Sequence, residues 1–325
     1  MKVSINTQVI VSQFKISILT LVILTNFIAS EMTFAAKKSK ETILMAFFRA
    51  NGQDGVYLAS SEDGLKFTSL NNDEPVMKPA AWEGQNLTRD PSIIYHDGLF
   101  HMTWTTNWKG NCFGYATSKD LKTWSDPIQV FPYTDSIKPK LSWAPEICWD
   151  PYQKNFMIIW STNYSARGHQ LFISRTSDGK TFSKGQLFLD RPFATIDGML
   201  ALDEKNKRWI MIYKNELKEV EGGKNLHVAS SPLDFSKPWE DLCAPIVGPG
   251  TSVYPESMCE GPSLLKMGKE WFLYWDSPLT KTYTMATSKN LTEWKLRTED
   301  MSFPKGVRHG TIFKAPISAI GWMIK

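Results

Sequence analysis

ATSKDLKTW (116–124) returns later in the chain, with three substitutions, as ATSKNLTEW (286–294). Both copies combine a small residue, a serine, a polar turn and an aromatic ring. Three further copies are ASSEDGLKF (59–67), SRTSDGKTF (174–182) and ASSPLDF (229–235). Five copies of one unit indicate a repeat architecture, in which each copy belongs to one supersecondary structure.

An apolar strand rich in aromatic residues precedes every copy of this unit. The five strands are ILMAFF (43–48), FHMTWT (100–105), FMIIWS (156–161), WIMIYK (209–214) and WFLYWD (271–276). Four of them follow a polar turn and a further short strand. Because short strands alternate with turns rich in Asp, Asn, Gly and Lys, and no long segment has helical periodicity, the pattern predicts an all-β fold.

The N-terminal unit lacks its first strand, because ILMAFF (43–48) lies close to the start of the chain. RHGTIFKAP (308–316), near the other end, can supply that strand. A blade completed from both ends closes a ring of blades, which is how propellers avoid exposed sheet edges. We therefore predict an all-β, five-bladed β-propeller with four strands per blade, closed by the N- and C-terminal strands.

In a propeller the innermost strand of every blade runs along the central channel, and its first residues point into one funnel. Here the five innermost strands begin near ionisable residues: Asp90, Glu146, Asp197, Glu260 and His309. Like charges packed into a partly desolvated site raise its free energy. Four carboxylates and a histidine in one place therefore indicate a functional site rather than a structural one.

Paired carboxylates suit the hydrolysis of a glycosidic bond. That reaction needs a carboxylic acid that protonates the leaving oxygen and a carboxylate that activates water or attacks the sugar carbon. Neighbouring charges separate the pKa values of two such groups, so that one stays protonated while the other is ionised.

Three segments at the starts of innermost strands resemble the signatures of glycoside hydrolase family 43. They are RDPSI (89–93), ATIDGM (194–199) and CEGPSL (259–264). The resemblance extends from about residue 43 to residue 316, and it implies a five-bladed propeller that inverts the anomeric centre. It also implies that Asp90 is the general base and Glu260 the general acid, with Asp197 keeping that acid protonated and oriented.

The sequence departs from the family pattern at two places, and both leave the substrate open. WAPEI (143–147) resembles a WAPDI-type segment, with Glu146 where Asp is more usual, and Gly198 follows Asp197 where the family has Pro or Ala. His309 matches a late histidine that in relatives lies beneath the sugar and often holds a water or a metal ion, commonly calcium. We expect no required cofactor, with a structural calcium ion near the axis as the alternative. Five histidines without HxH or HExxH spacing argue against a catalytic metal.

Substrate-binding candidates surround the three acids, and His309 is one of them. Arg89, next to the predicted base, either binds a substrate carboxylate or hydroxyl or forms a structural ion pair. Trp143, and less strongly Trp108 and Trp82, can stack on a sugar face, because aromatic rings bury apolar surface well. Glu146 is predicted to contact the substrate rather than to donate a proton.

The composition narrows the partners of this 325-residue chain. Its formal net charge of +4 includes no dense basic run, so nucleic acid is not an expected partner. The four cysteines, Cys112, Cys148, Cys243 and Cys259, lack a CxxC spacing and are interpreted mainly as small buried hydrophobic residues. The sequence leaves the oligomeric state open.

Residues 1–36 are typical of a signal peptide. Lys2 and Lys15 flank a polar start, an apolar run follows, and TFAA offers small residues for cleavage. An N-terminal membrane anchor is the alternative, although the apolar run is short for a span. Residues 37–325 would then form the catalytic propeller of a periplasmic or secreted protein. No cysteine precedes Cys112, which excludes lipid attachment at the cleavage site, and we expect no membrane contact after cleavage.

These observations together predict a secreted, exo-acting, inverting glycoside hydrolase. It would release a terminal sugar, α-L-arabinofuranosyl or β-D-xylosyl, from oligosaccharides derived from polysaccharides. Two alternatives stay open. One is a galactosidase or anhydro-galactosidase that acts on algal galactan oligosaccharides, and the other is a non-catalytic carbohydrate-binding propeller that kept the funnel.

Overall fold

The computed structural model describes residues 40–132, 141–297 and 300–323, so the predicted signal peptide (1–36) lies outside the described residues. Every strand named below belongs to one compact unit, Glu41–Lys325. Within the described ranges, twenty β-strands form five four-stranded antiparallel sheets. The predicted all-β, five-bladed β-propeller is confirmed.

The blades are numbered from the sheet that closes the ring, and their strands are given from the axis outward. Blade I contains β20 (Arg308–Pro316), β1 (Glu41–Phe48), β2 (Tyr57–Ser61) and β3 (Thr68–Ser69). Blade II contains β4 (Arg89–His96), β5 (Leu99–Thr105), β6 (Phe113–Ser118) and β7 (Ile128–Val130). Blade III contains β8 (Trp143–Asp150), β9 (Asn155–Ser165), β10 (Gly168–Thr176) and β11 (Gln186–Leu189). Blade IV contains β12 (Thr195–Asp203), β13 (Arg208–Asn215), β14 (Leu226–Pro232) and β15 (Glu240–Asp241). Blade V contains β16 (Glu260–Met267), β17 (Glu270–Ser277), β18 (Thr282–Ser288) and β19 (Lys295–Arg297).

The ring is closed by the C-terminal strand. β20 pairs antiparallel with β1, from Thr42 opposite Ala315 to Ala46 opposite Thr311. The strand missing from the N-terminal unit is therefore supplied from the other end of the chain, as predicted. In the part of the chain that the structure describes, no helix is long and apolar enough to cross a membrane.

Each blade contributes one fully buried aromatic residue at an equivalent position. Each belongs to the second strand of its blade and stands one residue before the end of the segment recognised in the sequence. The five are Phe47, Trp104, Trp160, Tyr213 and Trp275, all fully buried. Removing one such ring from a core costs about 3–5 kcal/mol. Trp82 stacks on Trp104 with ring centroids 6.1 Å apart, so this candidate for sugar stacking is part of the core.

All four cysteines are free thiols. Cys112 and Cys259 are fully buried, and Cys148 and Cys243 are half-buried. Burial raises the pKa of the Cys112 and Cys148 thiols, which keeps them neutral. They therefore pack as small apolar side chains rather than as nucleophiles.

The repeated unit that identified the fold is the turn after the third strand of each blade. In blade II, Ser118 Oγ accepts a hydrogen bond from the Leu121 N–H at 2.8 Å. Asp120 Oδ1 accepts from the N–H groups of Lys122 and Thr123 at 2.9 and 2.8 Å. Equivalent pairs are Ser61 with Asp63, Thr176 with Asp178, and Ser288 with Asn290. The side-chain oxygens thus satisfy backbone donors that the turn leaves unpaired.

We expect Asp120→Ala to destabilise the propeller by about 1 kcal/mol, the usual cost of losing a side-chain acceptor for backbone N–H groups. Asp120→Asn keeps the acceptor, as Asn290 does naturally in blade V, and should retain most of the stability at neutral pH. Urea unfolding of both variants measures the difference. Equal losses in the two variants would show that the acceptor oxygen is not what stabilises the turn.

In acid, the native chain should lose the stability that the Asp120 carboxylate gives it, whereas the two variants lack this carboxylate at every pH. Burial opposes ionisation of Asp120, yet hydrogen bonds from Thr123 and Lys122 bring its pKa below the ordinary value of 3.8. The stabilisation from its carboxylate is therefore present above pH 3.8 and is lost as the pH falls through the lowered pKa.

Candidate active site

The innermost strands of blades II to V each contain a β-bulge close to their start. The pairing register with the second strand shifts between Arg89 and Ser92, Trp143 and Glu146, Ile196 and Met199, and Glu260 and Ser263. At the bulge the backbone of Asp90 and Asp197 has φ values of 50° and 53°. A bulge re-aims a side chain relative to the alternation of its strand. Here it turns two carboxylates toward the axis.

The register sorts the residues near the axis into three positions. We call the residue that pairs with the second strand just before the register shift the pre-bulge residue; in blades II to V these are Arg89, Trp143, Ile196 and Glu260. Arg308 of β20 is the equivalent residue in blade I, because it pairs with Phe48 at the end of β1. The bulge residues are Asp90, Ala144, Asp197, Gly261 and His309. The post-bulge residues are Ser92, Glu146, Met199, Ser263 and Thr311.

An axial pocket of about 220 Å³ is lined by pre-bulge and bulge residues. Six of the seven predicted site residues line it: Arg89, Asp90, Trp143, Asp197, Glu260 and His309. They come from all five blades, so the structure brings together acids that are far apart in the sequence. Thr105, Trp108, Lys214 and Glu216 also line it; of these four, only Trp108 was named from the sequence, as a weaker candidate for stacking on a sugar.

Glu146 is the predicted site residue that the pocket does not include. It occupies the post-bulge position, one layer further along the axis, where its Oε2 accepts a hydrogen bond from Thr311 Oγ1 at 3.4 Å. Its sequence spacing suggested the same level as Asp90, but the bulge in β8 falls on Ala144 instead. Burial raises the pKa of Glu146 to about 7, against the opposing effects of Ser92 and His309.

A larger cleft of about 410 Å³ lies beside β11 and residues 235–239. Two of its three charged lining residues are already used in ion pairs, since Asp190 pairs with Arg167 at 3.0 Å and Arg191 with Asp241 at 2.8 Å. The axial pocket is the better candidate for catalysis because its ionisable groups converge on one space.

Asp90 is held by two neighbours. Its Oδ2 accepts a hydrogen bond from Thr105 Oγ1 at 2.7 Å, and its Oδ1 lies 3.4 Å from His309 Nδ1. Thr105 also accepts a hydrogen bond from the Ala144 N–H at 2.8 Å, which fixes the hydroxyl between two blades. The carboxylate therefore has a fixed orientation and an acceptor oxygen in the pocket.

Asp197 is stabilised by backbone groups rather than by a cation in direct contact. Its Oδ2 accepts a hydrogen bond from the Gly261 N–H at 3.0 Å, and its own N–H donates to Ser161 Oγ at 3.1 Å. Burial raises the pKa of Asp197 to about 6, and the charges of Glu260 and Asp90 add to this, while His309 and Lys214 oppose it. Asp197 is thus able to hold a proton in mildly acidic solution.

Glu260 has cations at both oxygens. Lys214 Nζ lies 3.0 Å from Oε2, and Arg308 Nη2 lies 3.3 Å from Oε1. Burial alone would raise the pKa of Glu260, but Lys214, with help from His309 and Arg308, holds it below the ordinary value. Of the two acids, Asp197 has the higher pKa, so it takes up a proton before Glu260 does as the pH falls.

His309 lies among the acids and against the backbone of blade V. A Cβ at Gly261 would collide with the imidazole ring, and Gly261 has a φ of 58°, so only glycine suits this position. Burial lowers the pKa of His309, but the surrounding charges of Asp90, Asp197, Glu260 and Glu146 outweigh it and raise the pKa. The surrounding acids thus favour the protonated form of the imidazole.

The resemblance also implies a metal ion near His309. Among the described residues, no group of three or more His, Cys, Asp or Glu side chains is placed to hold a metal ion. The described side chains around His309 therefore do not form a metal-binding cluster of their own.

Aromatic residues form one wall of the pocket. Trp143 Nε1 donates to the Trp108 carbonyl at 2.9 Å, and the two rings meet edge to face at 6.1 Å. Trp143 also stacks on His169 at 5.0 Å. Trp108 is 50% exposed. This wall offers apolar surface for the C–H face of a sugar.

Lys214 could have been found from the repeat. It is the last residue of WIMIYK (209–214), and the corresponding residues of the five segments are Phe48, Thr105, Ser161, Lys214 and Asp276. Ser161 contacts Asp197 and Lys214 contacts Glu260, in each case in the following blade. The signal was therefore the last residue of each apolar segment recognised in the sequence, which reaches the innermost strand of the next blade.

Comparison with known proteins was made at the levels of sequence and structure. A family model described as "Probable glycosyl hydrolase domain", related to glycoside hydrolase family 43, matches residues 40–319. A search of curated proteins finds no match to this sequence.

Three solved structures illustrate the likeness of fold. A thermostable family-43 glycoside hydrolase is 16% identical, with a TM-score of 0.54 over 68% of this chain and 78% of that chain. An endo-arabinase from Bacteroides thetaiotaomicron is 15% identical, with a TM-score of 0.54 over 73% and 95%. The catalytic domain of a GH62 α-L-arabinofuranosidase from Coprinopsis cinerea is 14% identical, with a TM-score of 0.54 over 74% and 77%. At these identities the likeness shows the propeller fold.

Replacing Lys214 with Met should raise the pKa of Glu260, because burial would then act with less opposition from a cation. Carboxyl ¹³C NMR of the glutamates across pH measures this, with Glu260→Gln used to assign the signal. Lys224→Met is the matched control, since Lys224 pairs with Glu216 at 2.6 Å and not with Glu260. An unchanged Glu260 titration in a folded Lys214→Met protein would contradict the role of Lys214.

Proposed function

Because the chain belongs to this family of glycosyl hydrolase domains and is a glycosidase, we propose that it is exo-acting and inverts the anomeric centre. The proposed reaction releases a terminal α-L-arabinofuranosyl or β-D-xylosyl group from an oligosaccharide derived from a polysaccharide. The observation that carries the proposal is the convergence of Asp90, Asp197 and Glu260, from three blades, in one axial pocket.

Asp90 is proposed to activate the water. One of its oxygens is fixed by Thr105, and the other faces the pocket beside His309. The water oxygen forms a bond to the anomeric carbon while the glycosidic C–O bond breaks, and Asp90 accepts a proton from the water. Attack opposite the leaving group inverts the anomeric centre.

The pair of Asp197 and Glu260 is proposed to supply the proton that the leaving oxygen takes. The family resemblance assigns this proton to Glu260, yet Lys214 and Arg308 favour its ionised form. Asp197, linked to Glu260 through the Gly261 N–H, has a raised pKa and stores the proton in the free enzyme. After the transfer, solvent returns one proton to the pair and removes one from Asp90.

The size of the pocket supports action at a chain end. Its volume of about 220 Å³ is below the roughly 300–1,000 Å³ typical of pockets for larger ligands, which suits one sugar ring. Trp143 and Trp108 form one wall, and His309 also lines the pocket. A single enclosed ring is what an exo-acting enzyme binds.

One departure from the family pattern has a structural cause. A Cβ at Gly198 would collide with the Leu171 side chain of blade III, so glycine follows Asp197 for reasons of packing. This residue therefore gives no support to the galactan-directed alternative. That alternative is tested by including galactan oligosaccharides in the substrate panel.

We also propose that the enzyme acts outside the cytoplasm. This proposal rests on the sequence of residues 1–36, with its apolar run and small residues before position 37. An exported location agrees with a polysaccharide fragment as the substrate. Fractionation of cells that express the full chain tests it.

Asp90→Asn and Glu260→Gln should each lower kcat/KM by about 100- to 10,000-fold, the usual contribution of general base or acid catalysis. The panel should contain arabinan, xylan and galactan oligosaccharides, and ¹H NMR of the first product formed should show inversion. Glu146→Gln is the matched control, because the same change below the pocket should cost far less. Retained turnover in either of the first two variants would refute the assigned roles, and sugar binding without turnover would favour a binding propeller.

The dependence of kcat/KM on pH should show a basic limb near pH 6, because the proton stored on Asp197 is bound with a pKa of about 6. Asp197→Asn should move this limb to lower pH, since the proton must then reside on Glu260, whose pKa is lowered. Lys214→Met should move it to higher pH. A limb that stays in place in both variants would show that this pair does not supply the proton.

A further inference from the structure

Arg89 is a charged residue of the pocket that the proposed mechanism does not use. It occupies the pre-bulge position of blade II, is only 6% exposed, and lines the pocket beside Asp90. A buried charge is costly unless it is paired, so the partners of this guanidinium need to be identified.

The immediate surroundings of Arg89 are neutral. Its Nη1 donates to Asn51 Oδ1 at 2.9 Å, and its guanidinium carbon lies 4.7 Å from the Phe48 ring centroid and 4.0 Å from that of Trp108. Asn51 Oδ1 also accepts from Trp108 Nε1 at 2.8 Å, and a Cβ at Gly52 would press against the Arg89 side chain. The guanidinium is therefore held in one orientation between two rings.

At the equivalent position of blade I, Arg308 forms ion pairs with carboxylates. Its Nε donates to Asp276, the last residue of the segment WFLYWD (271–276) in the preceding blade, and its Nη2 contacts Glu260 at 3.3 Å. The residue that corresponds to Asp276 next to Arg89 is Phe48. At equivalent positions, Arg308 therefore has a carboxylate beside it, whereas Arg89 has an aromatic ring.

The other cations near the acids all have carboxylate partners. Lys214 contacts Glu216 and Glu260 at 2.8 and 3.0 Å, and His309 lies 3.4 Å from Asp90. Among the described residues, no carboxylate oxygen lies within 4.0 Å of an Arg89 nitrogen. The oxygens of neighbouring Asp90 are directed at Thr105 and His309 instead.

We propose that Arg89 is the anion-binding residue of the pocket, and that the sugar bound there carries a carboxylate or sulfate group. The inference rests on the proposed exo-acting hydrolase, and it adds an anionic substituent to the xylosyl candidate or to the galactose-type alternative. Only one guanidinium nitrogen of Arg89 has a hydrogen-bond partner in the described part of the chain. The planar guanidinium has further N–H groups, which suit two parallel hydrogen bonds to a carboxylate or sulfate.

Binding of monosaccharides tests the proposal without any bond cleavage. Glucuronate differs from xylose by the carboxylate on C5, and galacturonate and galactose 6-sulfate are the matched anionic partners of galactose. In at least one series the anionic sugar should bind about tenfold more tightly than its neutral partner by calorimetry, as expected for hydrogen bonds to a charged group. Added salt should reduce this advantage, and the uronate and sulfate arms identify the anion.

Three variants locate the effect. Arg89→Met should abolish the preference for anionic sugars. Asn51→Asp, a near-isosteric change at an exposed residue, should reduce it, because the new carboxylate neutralises Arg89 internally. Arg49→Met is the matched control and should keep the preference, since Arg49 pairs with Asp73 at 2.6 Å and does not line the pocket. Thermal unfolding checks that each variant is folded.

Equal binding of anionic and neutral sugars in both series, or no binding of any, would overturn the proposal. A preference that persists in folded Arg89→Met would overturn it as well. These outcomes are separate from the test of the hydrolase. Efficient cleavage of neutral glycosides without a preference for anions defeats only the role of Arg89, whereas a preference without turnover of any glycoside supports Arg89 and defeats the hydrolase.

Discussion

The site depends on donors that hold each carboxylate near the axis. Lys214 of blade IV reaches Glu260 of blade V, and Gly261 of blade V donates back to Asp197 of blade IV. Without such contacts the buried acids would repel one another, and breaking one buried ion pair typically costs about 3–5 kcal/mol. The closing strand supplies Arg308 and His309, so ring closure completes the site as well as the fold.

The kind of donor decides where the protons are. Asp197 is buried, and Glu260 and Glu146 are half-buried, near the same axis, yet their pKa values move in different directions. Two cations hold Glu260 ionised, whereas Asp197 has a backbone N–H and Glu146 a threonine hydroxyl in direct contact. Burial therefore dominates for the last two acids and is outweighed for the first.

The five blades share one architecture, and the site acquires its particular chemistry because equivalent positions of the blades carry different residues. The last residue of the apolar segment in the second strand is threonine, serine, lysine or aspartate in four blades and phenylalanine in blade I. The polar residues at this position form hydrogen bonds or ion pairs with residues of neighbouring strands. The phenylalanine of blade I leaves Arg89 without a carboxylate partner. Function in such a fold lies in these exchanges rather than in the architecture, which many unrelated activities share.

The sequence by itself determined the five blades, their closure by residues 308–316, and the identity of Asp90, Asp197 and Glu260 as pocket acids. It could do so because turns and apolar strands are local and repeat, and because the bulge segments keep recognisable neighbours. Only the tertiary structure decided the level of each residue along the axis. A β-bulge shifts the pairing register, and the spacing of residues in the sequence does not show where the bulge falls. In β8 this shift placed Glu146 below the pocket. The partners of Lys214 and Arg89 were likewise decided by contacts between blades, because those contacts join residues that no local pattern connects.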